Sequence, residues 1–259
     1  MTLFRQFFSA HLKGLLIWIA VAVLMALSGT RSAAMFMNTN MWETLPQSVM
    51  SMYGNVAGLS PVDIYLTLII GKGTVLIPTL YAVLMALSIV TREVDRRTVE
   101  FLLALPVQRT QVLTARIAVL VVNVTLVAGS IWAVQRFDMA AQGFQGDWGH
   151  HGLVFINLWL LSLALGAVTL AASMWIDDYS VGVKLCLGIV VLGFILSMVM
   201  RAAGVSGAVS AISPFSYLDI GGVMRSGRIA TGDAITLAVA LAAGLAVSFW
   251  AFNRKQFSA

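Results

Sequence analysis

Six apolar runs divide this chain, and they leave few folds open to it. They are Leu15 to Ser28, Ile64 to Val90, Val112 to Val134, Leu153 to Ile176, Val181 to Met200 and Ala234 to Phe252. A helix needs about 20 apolar residues to cross the hydrocarbon core, within a range of about 17–25. The first run is short unless Gly29 and the residues beyond Arg31 continue it. The second is too long for one perpendicular crossing, so part of it should project or tilt. Composition agrees: 59% of the residues are hydrophobic and 10% charged, where soluble domains average about 25% charged. The expected fold class is therefore all-α, a polytopic membrane protein with six transmembrane helices. Residues 1–259 contain no long repeat, linker or low-complexity tract, so they form a single domain.

Six crossings put both termini on the same side of the membrane. If that side is cytoplasmic, the inner cations are Arg5, Lys13, Arg92, Arg96, Arg97, Arg109, Arg116, Lys184, Arg254 and Lys255. The outer ones are Arg31, Lys72, Arg136, Arg201, Arg225 and Arg228, spread over longer loops. Ten against six favours cytoplasmic termini in the cell's inner (plasma) membrane. The same topology explains the net charge of +5 without nucleic acid as a partner. Cys186, the single cysteine, excludes an intrachain disulfide and a cysteine metal cluster.

Ahead of the first run, Leu3, Phe4, Phe7, Phe8 and Leu12 form one helical stripe opposite Thr2, Arg5, Gln6, Ser9 and Lys13. This pattern predicts an N-terminal interfacial helix that turns into the first span, in preference to a cleaved signal peptide. Three outer segments follow from the topology. Residues 29–63 include an expected short helix around Trp42 to Tyr53, and residues 135–152 form a short glycine-rich loop. Residues 201–233 are too apolar in their first half for a solvated loop, which suits a dip back into the outer leaflet under cover of protein.

Between the second and third runs lies Thr91 to Arg116, with five arginines and three acids. Such charges belong in water at a membrane face, since one at the bilayer centre costs about 2.5–3.5 kcal/mol on the insertion scale. Val99, Leu102, Leu103 and Pro106 fall at helical spacing, with Arg96, Arg97, Glu100 and Gln108 elsewhere around the turn. Pro106 should end this short helix. An amphipathic helix on a membrane face suits docking of a soluble partner.

The run Arg92-Glu93, then Thr98 through Leu102, Leu103, Ala104, Leu105, Pro106 to Arg109, resembles the ABC-2 type permeases of ATP-binding cassette transporters. Members show a Gly-Thr-x-Glu step, a leucine run and Leu-Pro-x-x-Arg leading into the third span. The similarity extends to Ser213-Pro214-Phe215 and to the basic ending Phe252-Asn253-Arg254-Lys255. Arg97 departs from the pattern, standing where the family has glycine, so the turn into the helix is built differently here.

The resemblance implies a membrane-spanning permease subunit that pairs with a second permease subunit and two copies of a separate ABC ATPase subunit. ATP and Mg would be bound in that partner, with no cofactor, metal or catalytic residue in this chain. It further implies a short cytoplasmic coupling helix between spans two and three, with the ATPase docking on residues 91–111. The positions carried over are Arg92, Glu93, Thr98, Glu100, Leu103, Pro106 and Arg109. With the resemblance goes the expectation of an exporter, and the scarcity of charge in the spans suggests an apolar, amphipathic or lipid-like substrate.

Other motifs carry less. Gly71-Lys72-Gly73-Thr74 fails as a phosphate-binding loop, because Gly73 follows the lysine and Leu66 fills the earlier glycine position. Lys72 lies about 28 Å from Thr91 along a straight helix, near the outer interface, where it can snorkel. The adjacent His150 and His151 make a weak metal site, and Met35, Met37, Met41, Met50 and Met52 suit packing better than copper. Asp177-Asp178 closes the fourth span as a solvated pair. Asn123, Thr125, Asn157, Ser162 and Thr169 are polar groups inside spans, able to bond across helices, back to their own helix, or along a translocation path. Two rival classes predict different behaviour. A membrane sensor or scaffold would bind a partner without nucleotide-dependent transport. An intramembrane enzyme using Asp177, Asp178 or the histidines would need no ATPase.

Overall fold

The structure, a computed structural model, describes residues 3–38, 58–70, 74–95, 108–205 and 207–254. Among these residues the chain is helical throughout, with no strand. The helices are α1 (Leu3–Asn38), α2 (Pro61–Ile69), α3 (Leu76–Asp95), α4 (Arg109–Ala141), α5 (Trp148–Ser173), α6 (Tyr179–Ala202), α7 (Ile220–Ser226) and α8 (Thr231–Arg254). Two short 3-10 turns, Gly207–Ile212 and Pro214–Tyr217, link α6 to α7. By length and composition, α1, α4, α5, α6 and α8 can each cross a membrane, and Leu76–Thr91 in α3 is a shorter apolar helix.

Small polar residues set the starts of these helices. Ser60, Asp147, Asp178 and Asp219 each accept a hydrogen bond from the backbone N–H three residues on, satisfying a donor that a helix start leaves without a partner. Asp178 is thereby assigned a structural role. Pro61 occupies the first turn of α2, where its missing N–H is harmless. Gly227 ends α7 at φ +63°, with His150 packed where a side chain would stand, so glycine alone suits the site.

Two expectations change. The expected turn between an interfacial helix and the first span is absent: α1 runs unbroken for 36 residues. Its apolar stripe continues into the span, with Phe7 and Leu15 both buried against neighbouring helices. The long second run is described as two helices, α2 and α3, on either side of residues 71–73. Val75 N–H donates to the Ile70 carbonyl at 3.3 Å and Thr74 Oγ1 to the Ile69 carbonyl at 3.0 Å, five-residue spacings that interrupt the α-helical ladder. Ile70, Thr74 and Val75 are buried. The expected helix at Trp42 to Tyr53, Lys72, and Met41, Met50 and Met52 lie outside the described residues.

α5 is the central helix, touching α3, α4, α7 and α8. Its approaches to α3 and α8 are made by small residues. A Cβ on Gly166 would stand 3.4 Å from the Ala82 Cβ, and one on Gly244 only 2.7 Å from the Ala167 carbonyl carbon. Close backbone contact of this kind lets helices pack in lipid, where no hydrophobic force drives them together. On the periphery, Leu16, Ile17 and Leu24 of α1 and Leu185, Ile189 and Leu192 of α6 are exposed, as lipid-facing positions should be.

Residues 213–217 reach into the bundle. Ser213 Oγ donates to the Gly193 carbonyl at 2.8 Å, two turns inside the end of α6, and Asn157 Nδ2 donates to the Tyr217 carbonyl at 3.1 Å. Arg201 Nη2 donates to the Phe215 and Leu218 carbonyls, each at 2.8 Å. Side chains thus supplement the short 3-10 ladder of this segment.

Candidate functional site

Of the expected coupling positions, Thr98, Glu100, Leu103 and Pro106 lie outside the described residues. Arg92 and Glu93 fall in the last turn of α3, of which the backbone alone is described, and Arg109 opens α4 with an exposed side chain. What the structure defines is the frame that holds both ends of this segment.

Thr91 Oγ1, at the end of α3, donates to the Ser173 carbonyl at the end of α5 at 3.3 Å. The buried Arg116 of α4 donates through Nη1 to the Ile89 carbonyl of α3. Its guanidinium also lies 4.6 Å over the Phe7 ring of α1, a cation–π contact that gains strength when desolvated. Gly182 of α6 sits tightly under Leu87 and Ile176, where a Cβ would meet their methyl carbons at 3.3 and 3.2 Å. Five helices are therefore joined within about two turns of the two ends of residues 96–107. Exposed Arg5, Arg109, Lys184 and Arg254 surround this end, with Asp177 and Asp178 beside them. Among the described residues the arrangement shows no catalytic constellation.

The opposite end is held by polar contacts. Asp138 accepts from Thr30 Oγ1, from Arg31 Nη2 at 3.0 Å and from Gln142 Nε2 at 2.7 Å. Asp63 accepts from Ser60 Oγ at 2.6 Å and from the Asp147 N–H at 3.1 Å. Phe7 and Thr30 of α1 thus lie beside Arg116 and Asp138 of α4. The two helices run parallel for 22 or 23 residues, about 33–35 Å, which matches a hydrocarbon core of about 30 Å with its interfaces.

The histidines do not converge. His150 Nδ1 is 2.8 Å from the Met224 carbonyl, whereas His151, fully buried, places Nε2 at 3.1 Å from Gln135 Oε1. Among the described residues no group of three or more His, Cys, Asp or Glu could hold a metal. Asn123 Nδ2 donates to the Tyr81 hydroxyl at 3.0 Å inside the bundle and Trp159 Nε1 to Thr125 Oγ1 at 2.8 Å on its exposed side, so these groups join helices. Ser162 bonds back to the Leu158 carbonyl of its own helix. Sequence reasoning counted Arg116 and Arg201 only as topology charges. A signal was available for Arg116, since it lies inside the third apolar run and an ionisable group there is a functional candidate by default.

The architecture defines the class first: a polytopic helical membrane protein with an anchored, charged connection at one end. Residues 1–257 match the family model described as ABC-2 family transporter protein. The chain belongs to that family, a transport membrane component that partners an ABC ATPase subunit and is not itself catalytic. No curated protein matches it as a relative.

Proposed function

We propose that this chain is the permease subunit of an exporter of apolar, amphipathic or lipid-like substrates, working as a dimer with two ATPase subunits. Six crossings, the second made by α2 and α3 together, leave both termini in the cytoplasm and residues 91–111 facing the ATPase. ATP and Mg are bound in that partner. Arg92, Glu93, Thr98, Glu100, Leu103, Pro106 and Arg109 supply the docking contacts, charges steering and registering the partner while the leucines face the bundle. The observation that carries this reading is the family match over residues 1–257. The anchoring of Thr91 to Ser173 and of Arg116 to Ile89 and Phe7 supplies the route by which ATPase closure would move the spans.

Reversing Glu100→Arg or Arg109→Glu is expected to weaken ATPase association by about tenfold or more while membrane insertion stays intact. In reconstituted vesicles, hydrolysis should be stimulated by amphiphiles in the native complex and uncoupled in both variants. Normal coupled transport in both would remove their docking role. Stimulation by small hydrophilic ions alone would overturn the substrate class.

A further inference from the structure

At the end of the bundle away from Arg109, α4 and α5 meet through a polar pair with bonding capacity to spare. Gln135 and His151 are each 0% exposed, and His151 Nε2 lies 3.1 Å from Gln135 Oε1. The second polar atom of each side chain, Gln135 Nε2 and His151 Nδ1, is buried and has no hydrogen-bond partner in the protein. Trp132 Nε1, one turn earlier in α4, is in the same condition. It stands beside the residue after His151, since a Cβ on Gly152 would lie 3.7 Å from it. The rings of Trp148 and Phe155 pack on the imidazole, with centroids 5.6 and 5.1 Å away. Leaving buried polar atoms unbonded is costly, and such atoms are bonded as a rule.

We propose that Gln135 and His151 bind at least two ordered water molecules between α4 and α5. Donor and acceptor counts set the chemistry. A neutral imidazole carries one N–H, and an amide carries one oxygen and one NH₂ group. If the amide oxygen accepts from the ring, an amide donor and a ring acceptor are left over. If the amide is turned and donates to the ring, an amide acceptor and a ring donor are left instead. Both arrangements leave one donor and one acceptor. An anion would satisfy the donor alone, and a metal ion the acceptor alone, whereas water serves either. A protonated imidazole would suit an anion, but it would be a charge buried against aromatic rings with no carboxylate bonded to it. Geometry sets the number. The two ring nitrogens point away from each other, so an oxygen bonded at Nδ1 is out of reach of the amide bonded at Nε2. Each leftover atom therefore takes its own water, and Trp132 Nε1 offers the cluster a further donor. Part of the α4–α5 contact at this end is then made through water, which bonds nearly as well as a direct partner.

The test is an experimental density map of the full chain in lipid nanodiscs, at a resolution that shows ordered water, in buffers with and without chloride. Two peaks are expected in both buffers, one about 2.7–3.2 Å from His151 Nδ1 and one at that distance from the free amide atom of Gln135. Water-edited solid-state NMR on chain carrying labelled histidine gives a second readout. Polarisation from water should reach the buried His151 ring about as fast as the partly exposed ring of His150. Gln135→Leu should slow that transfer several-fold and leave the His150 rate unchanged. Absence of both peaks where water is visible elsewhere, or slow transfer to His151 in the native chain, would overturn the proposal. So would peaks that need chloride, a peak about 2.0–2.1 Å from Nδ1, which would mark a metal ion, or a protein side chain turned into either place. An unchanged His151 rate in Gln135→Leu would remove Gln135 from the site and overturn the pairing. If that variant does not fold, the native map and the native transfer rate decide.

Discussion

Gly244→Leu should prevent recovery of folded chain from the membrane, the largest loss expected of any single substitution outside the coupling segment. The reason lies in the contact between α5 and α8. A Cβ at position 244 would lie 2.7 Å from the Ala167 carbonyl carbon and 2.9 Å from its oxygen and from the Val168 nitrogen. All three are backbone atoms of α5, so no side-chain rotation relieves the overlap. The helices must separate, and α8 would lose the contacts of buried Leu237, Ser248, Ala251 and Phe252 along its length. Overpacking costs about 1–3 kcal/mol where neighbours can adjust, and more where they cannot. Gly244→Ala should already lower the thermal midpoint in detergent. Gly129→Ala, where a Cβ meets nothing within 4 Å, should leave it unchanged or raise it, because alanine is the better helix former. Equal midpoints for the 244 and 129 variants would contradict the close approach of α5 and α8.

Arg201→Met should release the segment from Pro214 to Tyr217. One guanidinium nitrogen holds the Phe215 and Leu218 carbonyls, and a hydrogen bond to a charged group contributes about 1.5–3 kcal/mol. Losing both leaves the Phe215 and Leu218 carbonyls with only their backbone donors, the N–H groups of Leu218 and Ile220, for an expected loss of about 3 kcal/mol. Two readouts separate this from general unfolding. The midpoint should fall, and a cysteine placed by Ser216→Cys, in a Cys186→Ala background, should label faster with an impermeant maleimide. Arg201→Lys keeps the charge as a single flexible point without the planar fork, so an intermediate rate is expected. Labelling that stays slow in Arg201→Met would mean that the segment is held by Ser213 and Asn157 alone.

Five helices long and apolar enough to cross a membrane were legible, because a span must be apolar along its whole length, a requirement that composition cannot hide. Helix starts carried short-range signals at Ser60-Pro61, Asp147 and Asp178 that were not read as caps, Asp178 being read as one of a solvated pair. The division between α2 and α3 had a trace in Gly71-Lys72-Gly73-Thr74, which was weighed as a phosphate-binding motif and as a snorkelling lysine and not as a helix boundary. Other features left little trace. The unbroken course of α1 was hidden: the stripe of Leu3, Phe4, Phe7 and Phe8 suits a helix on the interface and a helix packed on α4 equally well. Arg116 with Ile89, Gln135 with His151 and Arg201 with Phe215 are tertiary pairs. Their partners are backbone carbonyls or residues more than a dozen positions away, which single-sequence patterns do not connect. Nor could the sequence say which of its glycines meets another backbone. The candidate site divides in the same way: its charged segment and its Leu-Pro-x-x-Arg step were legible, whereas the frame joining five helices at its ends became visible only in three dimensions.

The most direct test is to purify the tagged chain from its native membranes in mild detergent, identify what accompanies it by mass spectrometry, and assay the complex for ATPase activity. A soluble ATPase should co-purify in an amount comparable to the chain, and reversing Glu100 and Arg109 together should remove it without reducing the chain's insertion. If no ATPase accompanies the native chain across several detergents, residues 91–111 are not a docking site for one, and a sensor or scaffold becomes the better description of this protein.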